Sequence, residues 1–209
     1  IGGLGVNNQK HVVIVYGGVS SLDFGSAARV YWTFKTIGHE NVSILNGGFK
    51  GWKNSGNKVV SGENNLSPAK FKTKLNKKYY ASFSEVQKAQ KGKGSQCLID
   101  ARPAAFFTGD KKHAKARIPG RLANARNLQE GNLIDGGFKI KSSSEIKSQF
   151  GGLEGVEKYK GYISYCNTGH WAATVWFGLS EIAQIPNVKM YDGGMTHWTY
   201  DPKRKVDLS

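Results

Sequence analysis

The chain has 209 residues, of which 39% are apolar, enough for one large or two small domains with real cores. No apolar run is long enough to cross a bilayer, and no signal-peptide pattern opens the chain. Thirty basic against fifteen acidic residues give a net charge of +15, which attracts small anions. The sequence contains no helix-turn-helix and no basic motif interleaved with aromatic residues, so we do not expect a nucleic-acid partner. We expect a soluble protein of a bacterial-type cytoplasm or periplasm, and the sequence does not decide between these compartments.

The first predicted element is a strand at residues 11–16, whose continuous β-branched run is typical of a strand buried on both faces. A glycine-rich loop follows. Ser26 is then predicted to cap a helix that ends at Gly38, because apolar residues recur between them at helical spacing. A short strand at residues 42–45 comes next. Residues 58–80, rich in Lys, Asn and Ser, are predicted to be a linker.

Beyond the linker, strands and helices alternate. Two capping boxes, Ser82 with Glu85 and Ser142 with Glu145, predict the starts of helices. Strands are predicted at residues 96–99 and 162–165. This alternation implies parallel pairing, right-handed crossovers and helices on both faces of the sheet.

Cys166 follows the second of these strands directly, on a short loop that leads into a helix. Unpaired N–H groups of such a loop favour a thiolate, which predicts an acidic thiol, and they would equally hold an anion attached to the sulfur. A lone cysteine often only packs, so its position alone leaves a structural role open. Cys97 lies inside its own strand, about 10 Å away along a parallel sheet, so both cysteines should be free thiols.

Four segments share their order with a known family. They are Leu98-Ile-Asp-Ala-Arg102, Ile118-Pro-Gly120 with Ala125-Arg-Asn-Leu128, Cys166-Asn-Thr-Gly-His-Trp-Ala172, and Val188-Lys-Met-Tyr-Asp-Gly-Gly194 with Trp198. Together they resemble the rhodanese (sulfurtransferase) family, in which the cysteine carries a persulfide. The resemblance implies an α/β fold and transfer of a sulfane sulfur from thiosulfate or 3-mercaptopyruvate to a thiophilic acceptor, cyanide or a thiol. It implies no metal and no cofactor.

The resemblance also assigns site residues. It implies that Cys166 is the nucleophile, that Arg102 binds the anionic group of the donor, and that Asp100 is structural. The other substrate-binding residues that it implies are Asn167, Thr168, Gly169, His170 and Trp171. An ion pair with Asp100 is the alternative role for Arg102. His170 would add positive charge if its pKa stayed near the unperturbed value of about 6.5.

Donor preference stays open, because the loop departs from the pattern of thiosulfate-preferring tandem members. Those members often carry basic residues in the loop, whereas Asn167 and Thr168 are neutral, as in relatives that use mercaptopyruvate. Two other classes of function are weighed. A cysteine phosphatase would need arginine where Ala172 stands, and a binding or sensor module of the same fold would need no chemistry at Cys166.

The two ends of the chain correspond to each other. Residues 11–16 are matched with residues 162–165, Gly47-Gly48 with Gly193-Gly194, Trp52 with Trp198, and Gly17 with Cys166. We therefore predict a first repeat, residues 1–57, that is the C-terminal half of an inactive rhodanese-like domain. After the linker comes a second repeat, residues 81–209, that is the complete catalytic domain. We also expect a partner segment, possibly a separate chain, that completes the first repeat.

Overall fold

The computed structural model describes residues 1–208 and contains two parallel sheets. The strands are β1 (Val12–Ile14), β2 (Val42–Ile44), β3 (Gln96–Asp100), β4 (Arg126–Asn127), β5 (Gly161–Tyr165) and β6 (Val188–Met190). β1 pairs with β2, and the second sheet has the order β4-β3-β5-β6. The predicted α/β fold with parallel pairing is confirmed.

Seven α-helices connect and cover the strands in the described part of the chain. They are α1 (Ser21–Thr36), α2 (Gly48–Asn54), α3 (Phe83–Gln90), α4 (Ala104–Thr108), α5 (Ser143–Gly151), α6 (His170–Phe177) and α7 (Gly194–Trp198). A π-helical turn, Gly178–Ile182, continues α6, and short 3-10 turns lie at Gly2–Leu4, Glu130–Leu133 and Val156–Lys158. Within residues 1–208, each helix is too short or too polar to cross a membrane.

β5 shows how helices cover both faces of the second sheet. Its Tyr162 belongs to a core cluster shared with α1, α5 and α6. Ile163 and Tyr165 point the other way, into a cluster shared with α3 and α7. The prediction of helices on both faces is therefore confirmed for this sheet.

Both predicted capping boxes form. Ser82 Oγ accepts a hydrogen bond from Glu85 N, and the Glu85 carboxylate accepts one from Ser82 N (2.8 Å). Ser142 and Glu145 make the same pair of contacts at the start of α5. These pairs satisfy N–H groups that a helix start leaves unbonded, which is why a local pattern located both helices correctly.

The first helix begins earlier than predicted. α1 starts at Ser21 and is capped by Ser20, whose Oγ accepts a hydrogen bond from Asp23 N (3.1 Å). Ser26 lies inside the helix, so its prediction as the cap is wrong. Gly25 suggested a loop, but it is a helical residue where α1 meets α6, and a Cβ there would lie 3.1 Å from His170 O. Close packing of two helices explains this glycine.

The first strand is shorter and more exposed than predicted. β1 covers Val12–Ile14 instead of residues 11–16. Val13 and Val15 are 53% and 51% exposed. The prediction that this strand is buried on both faces is wrong, because the sheet face that carries these two valines is uncovered.

Backbone hydrogen bonds align the two ends of the chain and shift the match at Cys166 by one residue. Phe49 N donates to Tyr16 O (2.7 Å), and Met195 N donates to Cys166 O (2.8 Å) in the same relation. Tyr16 therefore matches Cys166, and the match with Gly17 is wrong. The first repeat has no cysteine at either position.

The first repeat packs against the second through α1 and α6. The Phe177 ring lies 5.8 Å from the Phe24 ring and 4.9 Å from the Tyr31 ring. Ser21 Oγ also donates to Glu130 Oε1 (2.9 Å). Between the repeats, residues 58–80 form no helix and only one isolated bridge, from Tyr80 to Met190. The contact between α1 and α6 places the first repeat beside Cys166.

Candidate active site

Cys166 lies directly after β5, inside the loop that leads to α6. Gly169 N donates a hydrogen bond to Cys166 Sγ (3.0 Å). Gly169 is the N-cap residue of α6 and has φ +102 and ψ −14, a left-handed conformation that favours glycine. The backbone N–H groups of Thr168 and Ala172 also stabilise a charge on the sulfur. We call these three N–H groups the sulfur cradle, and they are the arrangement that the sequence pattern predicts.

Burial outweighs the sulfur cradle in the resting site. Cys166 is 1% exposed, and desolvation raises the pKa of its thiol above the ordinary value. The N–H groups of Ala172, Gly169 and Thr168 lower that pKa, and the Asp100 carboxylate raises it. The thiol is therefore mostly protonated near neutral pH, and the prediction of an acidic thiol is wrong for the resting site.

Cys97 differs from Cys166 in its surroundings. It lies within β3, opposite Tyr162 of β5, whereas Cys166 lies after the end of β5. Burial raises the pKa of the Cys97 thiol to about 11, an increase that Arg126 partly opposes. Both cysteines are free, as predicted. Only Cys166 has N–H groups arranged around its sulfur.

Asp100 and Arg102 form a buried ion pair beside the loop. Arg102 Nε and Nη2 donate to the Asp100 carboxylate over 2.8 and 2.6 Å. Arg102 Nη2 also donates to Gly120 O (2.9 Å), and Nη1 reaches Asn167 Oδ1 (3.4 Å). Arg102 is only 2% exposed. Arg102 thus forms the ion pair with Asp100 that was its alternative role. A direct contact between Arg102 and the donor stays a prediction.

Arg102 connects the first-strand motif to the catalytic loop through Asn167. Asn167 is buried, and its carbonyl oxygen accepts from Thr196 Oγ1 (3.0 Å). A Cβ on Gly194 would collide with the carbonyls of Cys166 and Asn167, so the second glycine of the Gly-Gly pair is required there. The loop backbone is therefore held by Arg102 on one side and by α7 on the other, and Asn167 makes contacts to both.

The remaining predicted residues lie at the outer side of the loop. Thr168 is exposed, and His170 and Trp171 are partly buried. Desolvation and the nearby Arg29 cation lower the pKa of His170, so the condition for a positive charge on His170 is not met. Trp171 packs edge-to-face against Phe106, with ring centroids 5.7 Å apart. Thr168, His170 and Trp171 therefore add no charge to this side of the loop near neutral pH.

Arg29 is a residue near the site that sequence reasoning missed. It lies on α1 of the first repeat and forms an ion pair with Asp192, which precedes the Gly-Gly pair of the second repeat. Its guanidinium fills the space that a Cβ on Gly169 would occupy, and it lies over the Trp32 ring at 5.1 Å. Its Nη1 is buried and has no hydrogen-bond partner among the described residues. Only the packing of the two repeats brings Arg29 to the loop, so no local motif could have identified it.

Two other kinds of site need side chains that the described residues do not bring together. Within residues 1–208, no three or more His, Cys, Asp or Glu side chains lie close enough to hold a metal ion. Ala172, where a cysteine phosphatase would need arginine, is fully buried in α6. The structure thus places a neutral methyl group at that position.

Comparison with known proteins agrees with this geometry. The family model for the rhodanese-like domain matches residues 82–201. The 3-mercaptopyruvate sulfurtransferase of Escherichia coli (strain K12) is 33% identical over 196 residues, covering 93% of this chain and 67% of the relative. The thiosulfate sulfurtransferase of Bos taurus is 32% identical over 203 residues, covering 95% of this chain and 66% of the relative. The chain thus spans about two thirds of the length of these relatives.

Solved structures show the same fold. The crystal structure of SseA from Escherichia coli, described as a 3-mercaptopyruvate sulfotransferase with the rhodanese fold, superposes with a TM-score of 0.78 at 31% identity, covering 92% of this chain and 69% of that chain. An EanB variant in complex with ergothioneine has a TM-score of 0.86 at 19% identity, covering 100% of this chain and 53% of that chain, which shows the fold alone. The chain belongs to the rhodanese family of sulfurtransferases.

Proposed function

We propose that this chain transfers a sulfane sulfur from a small anionic donor to a thiophilic acceptor through a persulfide on Cys166. The observation that carries the proposal is the 3.0 Å hydrogen bond from Gly169 N to Cys166 Sγ at the start of α6. Backbone N–H groups at a helix start stabilise an anion, and a persulfide places its charge on the outer sulfur. The sulfur cradle thus suits the intermediate of a two-step, covalent transfer.

In the first step, the Cys166 thiol gives up its proton to water, and the resulting thiolate attacks the outer sulfur of thiosulfate. A new S–S bond forms, the bond between the outer sulfur and the sulfite sulfur breaks, and sulfite leaves with its electron pair. With 3-mercaptopyruvate, the C–S bond breaks instead, and the carbon takes a proton to give pyruvate. In the second step, cyanide or a thiolate attacks the outer sulfur of the persulfide. The bond between this sulfur and Cys166 Sγ breaks, the product leaves as thiocyanate or as a new persulfide, and the Cys166 thiolate is restored.

The neighbouring residues support this proposal in different ways. Arg102 and Asp100 hold Asn167 and hence the loop, so we propose that they position the sulfur cradle. Asn167 and Thr168 are uncharged, and the Arg102 guanidinium is already paired with Asp100. The loop residues therefore offer little positive charge to a dianion such as thiosulfate. We therefore propose that the singly charged 3-mercaptopyruvate is used at least as well as thiosulfate. The E. coli relative bears the name of that activity.

Intact mass spectrometry tests the proposal. The chain is incubated with thiosulfate, or with 3-mercaptopyruvate, and its mass is recorded before and after cyanide is added. We expect the mass of one added sulfur atom that cyanide then removes. Cys97→Ser should behave like the parent chain, and Cys166→Ser should gain nothing. If no donor adds sulfur to Cys166, the second class of function, a binding or sensor module of the same fold, becomes the better description.

A further inference from the structure

A loop rich in basic residues follows α4. Residues 111–121, which we call the basic loop, contain no acid and five cations, namely Lys111, Lys112, Lys115, Arg117 and Arg121. Within residues 1–208, none of these five cations forms an ion pair. Asp110 precedes the loop, and Asp207 bonds to Arg121 through the backbone. Positive charge therefore predominates along this segment.

The start of the basic loop lies beside the catalytic loop, residues 166–169. Lys111 N donates a hydrogen bond to Ala105 O (2.7 Å). Ala105 is the neighbour of Phe106, whose ring packs against Trp171 with the centroids 5.7 Å apart. The backbone of Lys111 is thus held next to the residue whose neighbour contacts the start of α6.

The end of the basic loop is fixed at the same edge of the sheet. Gly120 O accepts a hydrogen bond from Arg102 Nη2 (2.9 Å), and Arg102 Nη1 reaches Asn167, the residue after Cys166. Arg117 N donates to Thr199 Oγ1 (3.0 Å), directly after α7. Because both ends are fixed by residues that contact the catalytic loop or its supports, the cations between them lie at the edge that carries Cys166.

The cations of the basic loop differ in how far they are held. Lys112 Nζ donates to Ala116 O (2.7 Å), and the Arg117 guanidinium lies over the Tyr200 ring at 4.8 Å. Lys111 and Lys115 are exposed, and within the described residues their ammonium groups make no hydrogen bond. Their charges are therefore available to attract ions from solution.

The proposed reaction has a use for such charges, because it brings two anions together. The thiolate and the sulfur donor are both negative, and the Arg102 guanidinium beside them is paired with Asp100. Exposed cations act on ions over the Debye length, about 10 Å at 0.1 M salt. Their attraction grows in proportion to the charge of the ion, so a dianion gains more than a monoanion.

We infer that the basic loop attracts small anions to Cys166 and favours doubly charged sulfur donors over singly charged ones. Lys111 and Lys115 contribute most of this effect. It acts on the rate of encounter, so salt should remove it. The selection among donors rests on the proposed sulfur transfer, whereas the attraction of anions to Cys166 does not.

Alkylation of Cys166 tests the attraction without any sulfur donor. Cys97→Ser is treated with iodoacetate, an anion, and separately with the neutral iodoacetamide. The ratio of the two rates cancels any change in the thiolate fraction of Cys166. Adding Lys111→Glu/Lys115→Glu should lower this ratio on the order of tenfold at low salt. At about 0.5 M salt, most of the difference should disappear.

A matched control separates the position of the charges from the net charge. Lys72→Glu/Lys74→Glu changes the net charge equally at exposed lysines, and Lys74 N bonds to Ile37 O beyond the far end of α1. This control should change the ratio less than about twofold. The attraction would be refuted by an unchanged ratio in Lys111→Glu/Lys115→Glu, by an equal decrease in the control, or by a decrease that persists at high salt.

Steady-state kinetics then test the selection among donors. In Lys111→Glu/Lys115→Glu, kcat/KM for thiosulfate should decrease more than kcat/KM for 3-mercaptopyruvate, while kcat changes little. An equal decrease for both donors would refute this selection. If neither donor adds sulfur to Cys166 in the parent chain, the proposed function and the selection among donors fail together, and the alkylation ratio still decides whether the basic loop attracts anions.

Discussion

The two repeats use one backbone arrangement for different ends. In both, a residue just beyond the end of a strand accepts a hydrogen bond from the helix that starts at the Gly-Gly pair. That residue is Tyr16, two positions after β1, in the first repeat and Cys166, directly after β5, in the second. The loop that follows differs in what it binds. In the first repeat, Gly18 N and Val19 N donate to the Asp23 carboxylate (2.7 and 3.3 Å).

In the second repeat, Gly169 N donates to the Cys166 sulfur. Each loop thus presents N–H groups that stabilise a negative charge, and the first already holds an anion of its own. The comparison shows that a backbone shape suited to anion binding becomes a candidate catalytic site only where the chain leaves that shape free and supplies a nucleophile.

The largest expected effect concerns the nucleophile itself. Cys166→Ser should abolish sulfur transfer, because an alcohol does not form the persulfide. Tyr16→Cys, which places a thiol at the matching position of the first repeat, should gain no persulfide there, since Asp23 occupies the loop N–H groups. Peptide mapping after incubation with the donor checks both variants. Sulfur found at position 16 would show that the shared backbone alone is sufficient.

The second prediction concerns the buried ion pair, which has no counterpart in the described first repeat. Arg102→Ala should lower the free energy of unfolding by about 3–5 kcal/mol, because it leaves the fully buried Asp100 carboxylate without its partner. The double variant Asp100→Asn/Arg102→Leu should recover part of this loss. Urea unfolding measures it.

Kinetics of the same variants separate the two roles of Arg102. If Arg102→Ala were nearly as stable as the parent chain but failed to use the donor, a direct contact between Arg102 and the donor would replace the positioning role.

The third prediction compares matched residues of the two sheet faces. Ile163→Ala should cost about 2–5 kcal/mol of unfolding free energy, since its side chain is fully buried and a cavity remains. Val13→Ala at the matching position should cost less than about 1 kcal/mol in the chain alone, because Val13 is already about half exposed. Thermal or urea unfolding of both variants provides the comparison. Similar losses of unfolding free energy would mean that the sheet face carrying Val13 is covered in solution.

These contrasts show which features the sequence could predict. Capping boxes, the strands that end at Asp100 and Tyr165, and the loop after Cys166 are local patterns, and the structure contains each of them. The start of α1 was missed because Gly25 is typical of a loop, and only its contact with α6 explains it. Arg29 and the raised pKa of Cys166 depend on the packing of the two repeats and on burial, which no short motif encodes.

The fourth prediction concerns the pH dependence of the two thiols. Because burial raises the pKa of Cys166, its alkylation rate should still be increasing at the ordinary thiol pKa of about 8.5. Cys97, with a pKa of about 11 and no sulfur cradle, should show its alkylation midpoint near that pH. Rates measured separately in Cys97→Ser and Cys166→Ser distinguish the sites. A midpoint for Cys166 below that of an ordinary thiol would mean that the sulfur cradle outweighs burial.

The smallest expected effect tests whether the first repeat acts on the loop of the second through Arg29. Desolvation and the Arg29 cation lower the pKa of His170, whereas Asp192 raises it. Arg29→Gln should therefore raise the His170 pKa toward its ordinary value, and Asp192→Asn should lower it further. NMR titration of the His170 ring measures both shifts.

The folding cost of Arg29→Gln should be below about 1 kcal/mol, because the ion pair with Asp192 is partly exposed. Arg29→Lys should keep the His170 pKa close to that of the parent chain, since it keeps the charge. If Arg29→Gln and Asp192→Asn shifted the His170 pKa in the same direction, a general loosening of the loop would explain the data, and the first repeat would serve the site only as a packing surface.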